Sequence, residues 1–388
     1  MALSARLADA QRRLAAAGLA GLICRLPEHL VMLAGYWPVI ARSALLLPAE
    51  GAPVLCAPAM EADALRRTSV EDVRLFPVWK LGDPPPEESL RRLLRDAVHS
   101  LGLRARPVGV EGSGDEEIAP PQKVVEAWRP AAASAALLQD LGCDLVDASP
   151  LLQRLRLCKT PDEVDRLRLS AEIAGFGIAA FRAALEEGRT EAEVAAAVEQ
   201  AIHAQGTGYR GTVHARAQAL VFSGTARLAA VGWGYAPSTA RPLQRGDLVM
   251  LELCTVADGY YTDLTRMGVV GSPSPGQQEF LDAVALAQQA AIAAIRPGAR
   301  AADVDRAARE TLRGRGLEEH FIHITGHGLG FRYHEPAPLL HPGSTDELEE
   351  GMVTSVEPGV YHPAFGGVRI EDDVAVTAAG ADVLSAGR

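Results

Sequence analysis

Apolar positions recur along the chain with two periods, and the switch between them predicts the elements. Near the start a helical stretch, Ala5 to Ala17, is followed by apolar runs at Ala20 to Cys24, Ser43 to Leu47 and Pro53 to Ala57. Helix-like and strand-like segments in alternation predict an α/β domain. The stretch Gly82 to Glu87, with three consecutive prolines, predicts a loop. A boundary falls near Leu157 to Thr160, because Thr160-Pro161-Asp162-Glu163 is a capping box with Pro at the first helical position. Beyond it Val164, Leu167, Ala171, Ala174, Ile178 and Phe181 recur at spacings of three and four, one apolar helix face that stops by Gly188. A second capping box, Thr190 to Glu193, opens a helix running towards Gln205.

An apolar strand, Ala219 to Phe222, and the hairpin sequence LELCTVADGYYTDLTR, Leu251 to Arg266, follow. Its turn reads as Ala257-Asp258-Gly259. The order then recurs: helices near Gly276 to Arg296 and Ala301 to Arg313, a histidine-rich strand, and a second hairpin built from VTSVEPGVY and GGVRIEDDVAV. Helix, helix, strand, hairpin thus occurs twice without a residue-level repeat, which predicts two similar halves forming one domain. The expected division is 1–156 and 157–388.

Both hairpins carry carboxylates where apolar residues are expected. Glu252 and Asp263 are 11 apart, and a turn centred near Ala257 places them opposite each other. Glu357 and Glu371 are 14 apart, around a loop containing Pro363, Gly366 and Gly367, and also face each other. Directly opposed side chains have Cβ atoms about 5 Å apart, so each pair calls for a cation between its members. The segment His320 to His341 holds five of the ten histidines, and His327 sits between Gly326 and Gly328, which permit close backbone approach. Four carboxylates and one imidazole suit a pair of divalent ions, Mn, Co, Zn or Fe, acting together on one water.

Each residue also has a structural explanation. A lone strand glutamate is usually solvated or paired to arginine, and Arg266 and Arg369 lie close by in sequence. His323 or His334 alone reads as a hydrogen-bonded polar residue, and Cys254, two residues from Glu252, as packing. The glycines of GHGLG have the wrong spacing for a dinucleotide fingerprint. The joint pattern is what points to a metal.

Composition narrows the classes further. At 388 residues, with 48% hydrophobic and 22% charged residues, the chain suits a soluble globular protein of two domains. A net charge of −11 and no dense Lys/Arg run argue against nucleic acid. Five scattered cysteines without a CxxC pair predict free thiols and a cytoplasmic location. The apolar run Leu14 to Cys24 behind Arg12 and Arg13 breaks at Arg25, and reads as a helix leading into a strand rather than as a signal segment. No stretch is long enough to span a membrane.

At DGYYTDLTR, TGHGLG with HEP, VEPGVY and GGVRIEDD, in order over about residues 157 to 378, the chain resembles the Xaa-Pro peptidases, prolidases, methionine aminopeptidases and creatinases that share the pita-bread fold. The N-terminal part resembles the creatinase-type domain of prolidases more weakly, through its layout and LPEHLVMLAGY. The resemblance implies an α/β (α+β) fold, with a pita-bread domain of two pseudo-symmetric halves behind a smaller creatinase-like domain. It also implies that Asp263, His327, Glu357 and Glu371 are metal ligands.

Two departures stand out. Where the dinuclear peptidases have a first ligand Asp, this chain has Glu252, one methylene longer, and where they place a proton-handling His, 17 residues earlier, it has Tyr235. One or two divalent ions are therefore expected.

The implied activity is metal-assisted hydrolysis of peptide bonds, especially Xaa-Pro bonds, in short peptides by a homodimer. Glu357 relays a proton, and His334 and His323 steady the substrate or oxyanion. If its segment is a strand, Arg332 shares a side with His334 and clamps a substrate carboxylate, or makes a structural ion pair. Tyr235 belongs to the substrate pocket. The alternatives are creatinase-like cleavage of a nonpeptide C–N bond in a small molecule, carboxypeptidase-type cleavage, or a noncatalytic binding module.

Overall fold

The computed structural model describes residues 2–38, 43–78, 82, 84–112, 137–232, 234 and 236–385, and divides into two compact units, Met1–Arg156 and Leu157–Arg388. Tyr235 lies outside the described residues. Among the described residues no helix is long and apolar enough to cross a membrane.

The N-terminal unit runs α1 (Ala2–Ala16), β1 (Gly21–Cys24), α2 (Pro27–Ala34), β2 (Ala44–Pro48), β3 (Val54–Pro58), β4 (Asp72–Phe76), α3 (Pro86–Ser100), β5 (Pro107–Val110), β6 (Asp144–Asp147) and α4 (Ser149–Leu157). Its six strands form one mixed sheet in the order β4-β3-β2-β1-β5-β6. The strands β1, β2 and β3 are buried throughout, as expected where both faces are covered, which is why they read as continuous apolar runs. The prediction of a loop over Gly82 to Glu87 is corrected at its end, because α3 begins at Pro86. Proline fits the first helical position without losing a hydrogen bond, and Glu87 and Glu88 follow at the positive end of the helix dipole.

The C-terminal unit opens with α5 (Pro161–Ala183) and α6 (Glu191–Ala201), each started by the expected capping box. The first of these ends before Gly188, which takes φ +88° in the following turn. Then come β7 (Ala215–Ser223), α7 (Thr225–Val231), β8 (Leu248–Ala257) and β9 (Tyr260–Val269), the three strands forming one antiparallel sheet. The second half has α8 (Pro275–Ala294), α9 (Ala301–Arg313) and seven strands: β10 (Gly326–Gly328), β11 (Glu335–Leu340), β12 (Val353–Val356), β13 (Gly359–His362), β14 (Gly366–Arg369), β15 (Asp372–Thr377) and β16 (Gly380–Val383). This is the expected pair of helix-helix-hairpin halves.

Strand β8 belongs to both halves. Its residues Val249, Leu251 and Leu253 pack with Ile173, Phe181 and Val198 of the first helix pair, while Leu248 and Met250 pack with Val284 and Val304 of the second pair and with Val374 of β15. Side chains alternate along a strand, so Glu252, next after Met250 on the second face, points between the halves.

The register of the first hairpin differs from the sequence expectation. Ala257 pairs with Tyr260, and the turn is the two residues Asp258 and Gly259 alone. Their φ values of +49° and +88° are those of a type I′ turn, which matches the twist of the flanking strands and favours Asp-Gly. Glu252 therefore faces Thr265, and Asp263 faces Cys254. A shift of two keeps both acids on one face as diagonal neighbours, roughly 7–8 Å apart at Cα. In the second hairpin, β12 with β15 and β13 with β14 share one register, which sets Glu357 across from Glu371 in the gap between the two ladders.

Replacing Gly259 by Ala puts a Cβ at φ +88°. The expected loss is about 1–2 kcal/mol of stability, read as a lower urea midpoint at unchanged m-value.

Candidate metal centre

His327 reaches the inter-half space because its neighbours have no side chains. A Cβ on Gly326 would lie 2.0 Å from the Ser355 carbonyl oxygen, and one on Gly328 would lie 2.0 Å from that of Ala337. The His327 Nδ1 donates to the Gly328 carbonyl at 2.9 Å, which turns Nε2 towards Asp263 Oδ2 and Glu357 Oε1, each 3.5 Å away. One ring nitrogen tied to a carbonyl with the other aimed at carboxylates is the arrangement of a histidine ligand.

Three overlapping groups of potential ligand atoms lie within 4.8 Å of one another: His327 with Glu357 and Glu371, Glu252 with Asp263 and Glu371, and Asp263 with His327 and His334. The structure thus brings together all five residues expected to hold metal, with His334 at their edge. Cys254 is in none of these groups. Within the cluster, Glu371 Oε1 is buried with no hydrogen-bond partner among the described residues. An orphaned buried carboxylate oxygen is costly unless a ligand satisfies it, so the residues present fit a divalent cation. A further group, Cys24, His29 and Glu111 in the N-terminal unit, does not: His29 is bonded through Nδ1 to Glu111 at 2.7 Å and its Nε2 faces Arg156 at 2.5 Å.

The carboxylates are not equivalent. Burial raises the pKa of Glu252, but the charge of Arg369 and hydrogen bonds from Tyr333, Thr265 and Arg369 reverse this and hold it at about 2. Asp263 is pushed up to about 7 by burial and by the charges of Glu252 and Glu357, against the attraction of His327. Burial and neighbouring carboxylates also raise Glu357 and Glu371. Burial lowers the pKa of His327, yet the hydrogen bond to Asp263 and the charges of Glu357 and Asp263 prevail and lift it to about 9. In the absence of a cation, this cluster holds protons.

Several residues that build the site escaped the sequence reading. Tyr333 donates its hydroxyl hydrogen between Glu252 Oε1, 2.6 Å away, and Asp263 Oδ1, 2.8 Å away. Thr265 Oγ1 lies 2.7 Å from both Glu252 Oε2 and Glu371 Oε2. Asp373 accepts from Thr262 Oγ1 and from the Asp263 backbone N–H, tying the two hairpins together. Lys159 and Glu335 form a buried ion pair of 2.7 Å, and Glu335 also accepts from the Phe331 N–H, fixing the bend that carries Tyr333 and His334. Thr265 was legible as a polar residue on the same strand face as Asp263, and Tyr333 as the immediate neighbour of His334.

Three expectations are modified. The histidine-rich segment is not one strand: only 326–328 and 335–340 are, and Arg332 and His334 lie in the bend between them. Burial still alternates there, with Phe331, Tyr333 and Glu335 buried and Arg332 and His334 half-buried. His323 has both ring nitrogens engaged, Nδ1 donating to the Ile324 carbonyl at 2.7 Å and Nε2 facing the Tyr361 hydroxyl at 3.0 Å. Burial and the Arg369 charge push its pKa down to about 3, so it is a neutral acceptor for Tyr361. Of the two nearby arginines, Arg266 pairs with Asp372 at 2.7 Å, but Arg369 pairs with Glu252 itself at 2.5 Å, so the ordinary ion-pair explanation holds for that glutamate.

With this geometry established, comparison with known proteins places it. The sequence model of metallopeptidase family M24 matches residues 165–378, and that of the creatinase/prolidase N-terminal domain matches residues 6–158. A probable dipeptidase PepE of Mycobacterium tuberculosis is 35% identical over 384 residues, 97% of this chain and 92% of the relative. Dipeptidase PepE from Mycobacterium ulcerans superposes with a TM-score of 0.74 at 34% identity, covering 100% of this chain and 96% of the other. A Xaa-Pro dipeptidase from Bacillus anthracis does so with 0.79 at 25%, covering 100% and 98%.

Two measurements probe the site. Lys159→Met strands the buried Glu335 carboxylate, and a loss of about 3–5 kcal/mol in denaturant unfolding is expected. His327 has a folded pKa raised from 6.5 to about 9, so its contribution is complete below pH 6.5 and lost as pH rises through 9. Chelated protein should therefore lose thermal stability over that window. A divalent cation, which replaces the proton, should remove the slope.

Proposed function

The chain belongs to metallopeptidase family M24, and from that premise we propose that it cleaves Xaa-Pro bonds in short peptides, using a divalent cation held by Asp263, His327, Glu357 and Glu371. The observation that carries the reading is the convergence of these donors on one buried space, with Glu371 Oε1 unpartnered and His327 Nε2 turned inward. The dipeptidase and Xaa-Pro dipeptidase names of proteins aligned over nearly their full length support a short peptide as substrate.

A bound divalent cation supplies Lewis-acid activation of the scissile carbonyl and of the attacking water. Glu357 is the proton carrier. Its Oε1 accepts from Ser355 at 3.2 Å and faces His327, while Oε2, 4.0 Å from Arg369 Nε, takes the proton of the attacking water and delivers it to the leaving nitrogen. The Glu357 side chain is 14% exposed, against 2% for Asp263 and 6% for Glu252, and so is the carboxylate with access to a substrate. Burial holds its pKa above the ordinary carboxylate value, the direction that suits a group which takes up a proton and passes it on.

His334, half-buried with its ring centre 4.3 Å from that of His327, steadies the developing oxyanion. Arg332, half-buried in the same bend, takes the free carboxylate of the substrate. His323 keeps Tyr361 in place beside Arg369, whose Nη1 lies 3.1 Å from the Tyr361 hydroxyl. A homodimer and a cytoplasmic location complete the proposal, the latter suiting five free cysteines.

Purified protein should hydrolyse an Ala-Pro dipeptide, lose that activity on chelation and regain it with Mn²⁺. Undiminished turnover by metal-free protein would overturn the reading. Glu357→Gln is expected to lower kcat by about 10²–10⁴-fold with an unchanged circular dichroism spectrum.

A further inference from the structure

We propose that the Tyr333 hydroxyl and the Arg369 guanidinium together take the place of a second metal ion, so that the chain holds one divalent cation, at Asp263, His327, Glu357 and Glu371. The inference rests on the metallopeptidase reading above and concerns the number of ions and what replaces the missing one.

The donor groups alone would allow two ions, since Glu252, Asp263 and Glu371 lie as close together as His327, Glu357 and Glu371. Their lone pairs are not equally available. Glu252 Oε1 accepts from Tyr333 at 2.6 Å, and Oε2 accepts from Arg369 Nη2 at 2.5 Å and lies 2.7 Å from Thr265 Oγ1. Three donors therefore cover the two oxygens of this one carboxylate. The Tyr333 hydroxyl also stands 2.8 Å from Asp263 Oδ1, so one phenol hydrogen lies between two carboxylates that would otherwise be free to share a cation. Arg369 already supplies at 2.5 Å the positive charge that Glu252 needs, against 4.0 Å to Glu357, so a dication on Glu252 would meet the stronger repulsion from the guanidinium.

The other side of the cluster is less covered. Asp263 Oδ2 and Glu357 Oε1 both face His327 Nε2 at 3.5 Å, Glu357 Oε1 accepts only a longer bond from Ser355 at 3.2 Å, and Glu371 Oε1 has no partner among the described residues.

Side-chain length explains the switch. Arg369 is anchored independently of Glu252, its Nη1 donating to the Gly232 carbonyl at 3.0 Å and to Tyr361 at 3.1 Å, and its Nε to Thr265 at 2.8 Å. The longer arm of glutamate reaches this fixed guanidinium and Tyr333 at once. An aspartate at 252 would fall one methylene short of both and leave its carboxylate available to an ion.

The test is metal stoichiometry, read by elemental analysis of protein equilibrated with excess Mn²⁺ and then desalted, and by Mn²⁺ electron paramagnetic resonance. Wild type should hold one equivalent with the signal of an isolated ion. The double variant Glu252→Asp/Tyr333→Phe should hold two, with the signal of a spin-coupled pair. Glu252→Asp alone, which keeps the phenol, should show intermediate occupancy. Two equivalents in wild type, or one in a folded double variant, would overturn the inference while leaving the peptidase reading intact. A metal-free wild type with full turnover would overturn both.

Discussion

Glu252, Asp263 and Glu371 are withdrawn from water with Glu357 half-buried beside them, and in that setting each negative charge must meet a proton, a cation or a donor. The protein meets the demand unevenly. Glu252 is answered at hydrogen-bond distance by Arg369, Tyr333 and Thr265, whereas burial and one another's charges raise the pKa values of Asp263, Glu357 and Glu371. That asymmetry separates an internal ion pair on one side from a set of donors suited to a cation on the other, and it bears on mechanism as well as stability. A group answered by an arginine keeps its charge throughout turnover, while one that takes up protons is suited to moving them.

The fold makes this concentration of charge tolerable by fixing every member from behind. Asp373 ties the backbone of Asp263 to the second hairpin, and Lys159 with Glu335 pins the bend that presents Tyr333 and His334. The two glycines beside His327 let its strand lie against neighbouring carbonyls at distances no side chain would permit. The site is assembled from both halves, so neither half alone contains it.

Much of this was legible in the residues. Capping boxes announced the paired helices, and period-two patterning interrupted by acids announced the hairpins, because burial and capping act locally and leave local marks. The four carboxylates and His327 stood out as charge in strands that should be apolar. What was not legible depended on contacts distant in sequence. The partnership of Glu252 with Arg369 spans 117 positions, and that of Lys159 with Glu335 spans 176. The register of the first hairpin differs by two residues from the one expected, because the Asp-Gly pair alone satisfies a type I′ turn and Ala257 stays paired in the strand. The loop expected over Gly82 to Glu87 gives way to helix at Pro86, where the preceding residue is Pro85 and no side-chain cap marks the start as Thr160 does ahead of Pro161.

Strand β8 packs its two faces into different cores and is paired along both edges. An insertion or a one-residue slip there would exchange the two faces, burying the acid among aliphatic side chains and exposing leucines to the acids. Chemical diversification at this position is therefore confined to what hangs from an immobile rail. The reach of the acid carried at position 252 is then what can vary there, by one methylene at a time, while the pairing on either side of the strand stays as it is.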